Sequence, residues 1–513
     1  MRQFPLESLD LAPGRVVRWR LRSRAAEQGP GAAGGPVAEP DRRASFNQDK
    51  HFTVAEQSRR ASEPVASWLA VTFEIAGPLD RAALEAALLH LAHRHEVLRC
   101  EFRRLAGEVA CAALDPSDLL LEAAEVGTFD CPEDLRAFLA DDFGRSIDTL
   151  AWPLYTMGAV LRPDATTVYL AFDHIVCDGM SMPAVINDVQ RAYAAFAQGR
   201  PADPDPAPSY LDFAHEQRGR YLSIAADDDR LAYWRAFTAR NGGFFPPFPL
   251  DLGVEPGRMY PIANVAGRLL DAAETEAFDR RCRAVDGRAF MGVLAAVAAV
   301  LRRSGGPEVY RGLMPVSERG RGPWQDAVGW FVNTMPIEFP VGPGLDFAEV
   351  MAGVRAGFGT MMAHTEVPFV RAWELLAPEE FAARSWPFPV NFFSYLDMRR
   401  CPGAEHHEVW RPTTHVWSSG ANGACSWFQR DTDGLHLNSI FVDTPQAHRT
   451  MAGFEQALRG VLRTIAATGT LGPAPVRRPD APLLPSPRPG RDGGAPPTPA
   501  PGGAPRRGGG GGA

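Results

Sequence analysis

The sequence predicts an α/β protein built from two lobes of similar kind in one chain. A strand pattern at residues 166–172 leads through a turn into a helix pattern at residues 182–196. A second strand–helix–strand pattern starts near residue 231, after a Pro- and Asp-rich segment at residues 201–208. With 513 residues, 45% of them hydrophobic, the chain can bury a large core in each lobe.

Composition divides the chain further. An opening strand at residues 16–21 precedes a Gly/Ala/Pro-rich loop at residues 29–40. From residue 471 onward the chain is mostly Pro, Gly, Ala and Arg, and has too little apolar surface to offset the entropy of ordering. The expected segments are an N-terminal strand and Gly/Pro-rich loop (1–44), an N-terminal lobe (45–208), a C-terminal lobe (209–470) and a disordered tail (471–513).

The strand before the turn reads as half-buried. Val168, Leu170 and Phe172 alternate along it, and the same alternation places His174 on their face and Asp173 on the opposite face. The helix after the turn is amphipathic, since its apolar residues recur every three or four positions as far as Phe196. Gly199 and Pro201 end it.

The six residues from His174 to Gly179 indicate acid–base chemistry. Histidine has an unperturbed pKa of about 6.5 and can take a proton from a nucleophile at neutral pH. Asp178 can support the turn, and Gly179 is expected to allow a backbone direction that a Cβ would resist. Cys177, inside the motif, is read as a small buried filler and not as a nucleophile. The pattern therefore predicts an enzyme, a transferase.

Charge and cysteine content exclude several classes. The net charge of -8 and the absence of a basic stripe give no reason to expect nucleic acid as a partner. Seven scattered cysteines argue against a disulfide framework and indicate a reducing, cytoplasmic location. The first residues lack a signal-peptide pattern. The longest apolar run, residues 290–301, is too short for a transmembrane segment and predicts a buried helix.

Metal and nucleotide sites are not expected. His90, His93 and His95 do not share one face of their predicted helix, and the cluster at residues 406–408 has no second ligand element. Neither a G-x-S-x-G motif, a Walker A motif nor a strand-linked G-x-G-x-x-G motif is present, which argues against serine hydrolases, NTPases and dinucleotide enzymes.

Over residues 10–470 the chain resembles the condensation-domain superfamily, which includes peptide-synthetase condensation domains, chloramphenicol acetyltransferase-like enzymes and PapA polyketide-associated acyltransferases. The family motif is written HHxxxDG. Here Asp173 stands at the first histidine, while His174, Asp178 and Gly179 match the other fixed positions. Further similar segments are Arg94–Arg99, Gly312–Arg319, Val328–Ile337 and His364–Phe369. The PapA branch is favoured by Pro13–Trp19, Ser45–His51, Asn241–Gly243 and Phe248–Leu250.

The resemblance implies two chloramphenicol acetyltransferase-like lobes forming a V-shaped pseudodimer with a central tunnel. It also implies transfer of an acyl group from a phosphopantetheine thioester, on a carrier protein or coenzyme A, to a hydroxyl or amine, with His174 as general base. Asp178 is implied to pair with Arg319, which is equally readable as a solvated loop charge. The N–H of Gly179, with Asn333 or Thr334, is the candidate oxyanion site.

This interpretation implies no permanently bound cofactor, a carrier protein or acyl-CoA as donor, and a small-molecule acceptor. The chain is expected to be a monomer because its two lobes supply both walls of the tunnel. One alternative is an amide-forming peptide condensation enzyme. Another is a non-catalytic docking module, against which the intact His174 and Asp178 argue.

Overall fold

The computed structural model describes residues 1–24, 42–63, 65–202, 207–255, 258–383 and 390–472. The expected loop at residues 29–40 and the tail beyond residue 472 lie outside the described residues. Most of the described chain is organised by two mixed β-sheets with helices packed on them. This confirms the predicted mixture of helices and strands in two lobes.

Fifteen strands are assigned within the described residues. They are β1 (Arg2–Gln3), β2 (Arg15–Ser23), β3 (Ser67–Ala76), β4 (Cys100–Leu105), β5 (Glu108–Ala113), β6 (Leu119–Thr128), β7 (Tyr155–Leu161), β8 (Ala165–Asp173), β9 (Ile262–Asp271), β10 (Val309–Ser317), β11 (Val332–Pro340), β12 (Asn391–Asp397), β13 (Thr413–Ser418), β14 (Ala424–Asp431) and β15 (Gly434–Val442). The first sheet has the order β1-β13-β3-β8-β7-β2-β6, the second β11-β10-β12-β14-β15-β9, and β4 and β5 form a separate hairpin.

Thirteen α-helices accompany these strands in the described chain. They are α1 (Phe46–Arg60), α2 (Arg81–Arg94), α3 (Pro132–Ser146), α4 (Ser181–Phe196), α5 (Tyr210–Tyr221), α6 (Ala232–Asn241), α7 (Ala272–Ala284), α8 (Ala289–Arg303), α9 (Phe347–Met362), α10 (Phe369–Leu376), α11 (Pro378–Ala383), α12 (His407–Trp410) and α13 (Pro445–Thr468). The predicted helix after the motif is α4, and the apolar run at residues 290–301 falls within α8.

Strand β8 is buried on both faces, whereas the sequence predicts a half-buried strand. It lies between β3 and β7 in the middle of the first sheet. Leu170 and Phe172 pack into one hydrophobic core, while Tyr169 and Ala171 pack into another that includes α3 residues such as Phe143. The prediction is wrong because α3 covers the face of the sheet that local alternation assigned to solvent.

The lobes are not divided at residue 208 as expected. Strand β13 comes from the C-terminal half but joins the first sheet, where Thr413 lies opposite Thr72 and Ser418 lies opposite Ser67. Strand β2 lies inside the same sheet, so residues 1–44 do not form a separate segment. Helix α5 also contributes Tyr210 to the hydrophobic core that contains Leu170 and Phe172. These pairings join residues distant in sequence, and local composition does not reveal them.

A separate hydrophobic core, called the second core below, is built around α8, whose residues from Met291 to Leu301 are buried. None of the helices in the described ranges combines the length and the hydropathy that spanning a bilayer requires. Helices α7 and α8 meet the length and composition criteria only as a pair, and they are bent by 92° at the break between them.

The first two residues of the expected tail, 471 and 472, are packed against the rest of the chain. Leu471 is buried in the second core. The guanidinium of Arg303 donates hydrogen bonds to the carbonyls of Leu471 and Gly472, both at 2.8 Å. Residues 471 and 472 therefore belong to the folded chain and not to the expected tail.

Candidate active site

His174 lies in a short 3-10 turn that begins where β8 ends. The carboxylate of Asp173 caps this turn by accepting a hydrogen bond from the Ile175 N–H at 2.8 Å. The His174 ring is partly exposed. Its Nδ1 is buried and makes no hydrogen bond within the described chain, so Nε2 is the nitrogen that the ring presents.

Trp330 packs directly on this ring, with 4.0 Å between the ring centroids. The loop that carries it is tied to the first lobe, since Tyr210 Oη donates to the Trp330 carbonyl at 3.0 Å and Ser181 Oγ donates to the Gly329 carbonyl at 3.0 Å. A Cβ on Gly329 would collide with the Tyr210 ring. This close approach fixes Trp330 over His174.

Asp178 and Arg319 form a buried ion pair. Arg319 Nη1 lies 2.6 Å from Asp178 Oδ2, and Nη2 lies 2.9 Å from Oδ1. The same carboxylate accepts hydrogen bonds from the N–H groups of Ser181 and Phe331. Arg319 is 2% exposed, so it is not a solvated loop charge. Because Asp178 is buried and its oxygens are occupied by these bonds, we assign it to positioning and not to contact with substrate.

The side chain of Asn333 is occupied by hydrogen bonds outside the motif turn. Its side-chain amide donates to the carbonyls of Thr365 and Val367, both at 3.1 Å, and its oxygen accepts from the N–H groups of Thr334 and Phe369. The amide is therefore occupied in holding the segment after α9, and its assignment as an oxyanion donor is corrected. Within the described residues, Thr334 makes no hydrogen bond to the motif turn, and its role stays a prediction.

The backbone conformation of Gly179 differs from the one that the sequence predicts. It is not among the residues with positive φ, and a Cβ added to it would meet only Leu396 Cδ1, at 4.0 Å. Backbone strain is therefore not the reason for glycine here. Leu396 belongs to β12 of the second sheet, so Gly179 faces the junction of the two lobes. No described residue accepts a hydrogen bond from its N–H.

Sequence reasoning missed a second histidine beside the motif. His51, on α1, lies with Nε2 3.0 Å from Asp173 Oδ1, and Thr149 Oγ1 donates to Asp173 Oδ2 at 2.6 Å. The His51 ring is 5.6 Å from Trp330 and 6.5 Å from His174, measured between centroids. The available signal was an aspartate where the family motif has a histidine, because a buried carboxylate needs a partner.

The surroundings shift the proton affinities of these groups. Burial, and next the neighbouring His51, lower the pKa of His174 to about 4, so its ring is neutral at neutral pH. Burial opposes ionisation of Asp173, but its interactions with His51, the Thr149 hydroxyl and the Ile175 N–H together lower the pKa of Asp173. Burial raises the pKa of the Cys177 thiol, which disfavours the thiolate that a cysteine nucleophile requires.

Among the described residues, no group of three or more His, Cys, Asp or Glu side chains is arranged to hold a metal ion. His95, one of the three histidines considered above, instead lies 2.7 Å from Asp188 through Nε2. Its Nδ1 accepts a hydrogen bond from the Val328 N–H, which helps to hold the loop that carries Trp330.

Comparisons with known proteins identify the family and the fold. The condensation-domain family profile matches residues 52–394. PapA1 of Mycobacterium tuberculosis (strain CDC 1551 / Oshkosh), a 2'-acyl-2-O-sulfo-trehalose (hydroxy)phthioceranyltransferase, is 27% identical over 467 residues, covering 90% of this chain and 88% of PapA1. The acyltransferase PapA3 of the same strain is 26% identical over 470 residues, covering 90% and 96%. The solved structure of PapA2 acyl transferase covers 91% of this chain and 100% of its own, with a TM-score of 0.78 and 23% identity.

The fold and the His-x-x-x-Asp-Gly turn define a two-lobed acyltransferase of the chloramphenicol acetyltransferase-like type. The chain belongs to the condensation-domain family. Its relatives of similar length are PapA acyltransferases, which confirms the expected resemblance to that branch.

Proposed function

We propose that this enzyme moves an acyl group from a phosphopantetheine thioester to a hydroxyl of a sugar or lipid acceptor, with His174 as general base. The observation that carries the proposal is the half-buried His174, whose ring is neutral and whose Nδ1 is buried, so that Nε2 is the nitrogen available to a substrate. An imidazole held in its unprotonated form can accept the proton of an attacking hydroxyl.

The reaction proceeds in two steps. His174 Nε2 accepts the acceptor proton as the acceptor oxygen bonds to the thioester carbonyl carbon, giving a tetrahedral oxyanion. The oxyanion then collapses, the carbon–sulfur bond breaks, and the imidazolium returns the proton to the departing thiolate. No covalent acyl-enzyme is needed, which is consistent with the protonated state favoured for Cys177.

The oxyanion is assigned to the Gly179 N–H. This donor has no acceptor among the described residues and is fixed next to the turn that Asp178 and Arg319 hold. A preoriented backbone donor stabilises developing charge without reorganisation during the reaction. Thr334 stays a second candidate donor.

The substrates are proposed to meet at the junction of the lobes, where Gly179 faces Leu396. Two openings to this junction would form the expected tunnel, with donor and acceptor entering from opposite sides. Holding both substrates together turns a bimolecular reaction into one that is close to unimolecular.

The donor is proposed to be a carrier-protein thioester or acyl-CoA, acting on a monomeric enzyme without a resident cofactor. The name of PapA1 describes transfer of a (hydroxy)phthioceranyl group to an acylated sulfotrehalose. That name supports a hydroxyl of a glycolipid or another lipid as acceptor. All seven cysteines are unpaired, which supports the expected cytoplasmic location.

The test is acyl transfer by His174→Ala, followed by mass spectrometry with carrier-protein and coenzyme A donors and a panel of alcohols and amines. Loss of a general base should lower turnover by about 10²–10⁴-fold without changing the melting temperature. His215→Ala is the matched control, because His215 is exposed on α5. Wild-type turnover by His174→Ala would refute the general base.

The same panel of donors and acceptors distinguishes the proposed ester-forming enzyme from the two alternatives, an amide-forming condensation enzyme and a docking module. Products on amines alone would favour amide-forming condensation. A parent enzyme that transfers nothing from either donor class would favour the docking module.

A further inference from the structure

The Asp173 carboxylate is completely buried behind the motif turn, and its polar contacts show how it is stabilised. It accepts hydrogen bonds from the Ile175 N–H and the Thr149 hydroxyl. Because an ionised carboxylate cannot donate, the His51 Nε2 atom at 3.0 Å must carry the proton of their hydrogen bond. His51 is itself 3% exposed, so the pair is sealed from solvent.

A buried carboxylate is costly unless an opposite charge lies against it. Among the described residues, His51 is the single basic side chain within ion-pair distance of Asp173. Lys50, next to it in sequence, points away and donates to the Phe381 carbonyl between the rings of Trp373 and Phe381. His51 is therefore the one ionisable partner of Asp173 in the described chain, beside the Thr149 hydroxyl and the Ile175 N–H.

The pair is connected to His174 in two ways. Asp173 caps the 3-10 turn whose first residue is His174. His51 and His174 also both pack against Trp330, at 5.6 and 4.0 Å. A centroid separation of 6.5 Å is too long for a direct hydrogen bond between the two imidazoles. His51 therefore acts on His174 through charge and packing.

We propose that His51 and Asp173 are positioning residues for His174: they fix the turn that carries it and hold the basic side chain of His51 6.5 Å from its ring. This inference rests on the proposed function of His174. It assigns a task to the position where the family motif has its first histidine, here carried out by a histidine from α1.

The charged or titratable groups around His174 come from three places. His51 faces it from α1 and opposes its protonation, while Asp173 from β8 and Asp178 from the turn favour protonation. Arg319 neutralises Asp178, and Cys177 is held as a thiol. Replacing the basic His51 side chain by a neutral one should therefore expose the full effect of Asp173 on His174.

The test compares kcat/KM against pH for wild type and His51→Gln, which retains an amide donor for Asp173 but carries no charge. Wild-type kcat/KM should stay level down to about pH 5, one unit above the His174 pKa of about 4. In His51→Gln the acid limb should move up by about one to two pH units, the effect of one charge at this range. An acid limb that does not move would overturn the proposal, even if overall activity falls.

The matched control is His436→Gln, which breaks a similar buried pair between His436 and Asp431 in the second sheet, 3.2 Å apart. It should lower stability to a similar extent and leave the acid limb in place. Asp173→Asn is the second variant. By releasing the turn it should lower kcat by about 10–100-fold with little change in KM. A change in KM alone would contradict a positioning role.

A measurement that needs no turnover distinguishes failure of the proposed function from failure of this inference. NMR titration of histidine ring nitrogens, with the His174 signal assigned from His174→Gln, reports the protonation midpoint in each variant. A raised midpoint in His51→Gln without acyl transfer by the parent would support the inference and refute the function. An unchanged midpoint would refute the inference alone.

Discussion

Arg319 and Asp178 join the two halves of the chain at the motif turn through two hydrogen bonds, 2.6 and 2.9 Å long, between the guanidinium and the carboxylate. Arg319 follows β10 of the second sheet, while Asp178 lies between β8 and α4 of the first lobe. The guanidinium also packs over the Phe331 ring at 4.6 Å and donates to Ser181 Oγ at 3.0 Å. The pair thus couples the stability of the turn to the contact between lobes.

Breaking this pair should destabilise the protein strongly. Arg319→Ala and Asp178→Ala should each lower the free energy of unfolding by about 3–5 kcal/mol, because each leaves a buried charge unpaired. The double variant should lose less than the sum of the two. Urea unfolding measures all three, with Arg220→Ala as an exposed control expected to change stability by less than about 0.5 kcal/mol. Additive losses would show that the two charges are not coupled.

Gly179→Ala should separate activity from stability. A Cβ there meets only Leu396, so the melting temperature should not change, but the methyl group enters the junction of the lobes next to the proposed oxyanion donor and should lower transfer about 10–100-fold. Gly158→Ala is the contrasting variant, since its Cβ would collide with the Tyr169 ring and should lower stability by about 1–3 kcal/mol. Unchanged transfer by Gly179→Ala would place the substrates elsewhere.

Cys177→Ala should keep transfer within an order of magnitude of wild type. The thiol is buried, its Sγ lies 3.5 Å from the Asp173 carbonyl oxygen, and its raised pKa leaves little thiolate at neutral pH. Steady-state rates and intact mass after incubation with donor provide the measurement. An acyl adduct on Cys177, or a loss as large as that of His174→Ala, would instead indicate a covalent mechanism.

Stability should fall as the pH is lowered from about 6.5 towards 4. His415 is buried, its Nδ1 lies 2.9 Å from the Phe4 carbonyl, and burial lowers its pKa to about 4. The unfolded chain therefore takes up a proton at a higher pH than the folded chain, and this group contributes stability above pH 6.5 that is lost through pH 4.

The loss from His415 alone is on the order of 3 kcal/mol. Unfolding free energies measured between pH 4 and 7 should show a shallower slope for His415→Gln than for wild type. The exposed control His215→Gln should retain the wild-type slope. Equal slopes for all three proteins would mean that His415 does not contribute to acid sensitivity.

The sequence by itself determined the α/β class, the strand and helix on either side of the motif, and the position of His174. These features depend on interactions between near neighbours in the chain. Alternating residues define β8, spacings of three and four define α4, and the six motif residues are contiguous. The pairing of Asp178 with Arg319 followed from family resemblance and not from any local pattern.

Tertiary structure alone decided which strands belong to each lobe, which side chains surround His174 and which hydrogen bonds Asn333 makes. Strand β13 joins the first sheet across more than 300 residues of sequence, His51 meets Asp173 from 122 residues away, and Asn333 bonds to the segment after α9. Such contacts depend on which faces of distant elements are brought together. That choice is made by burial of the whole core, and no pattern of neighbouring residues contains it.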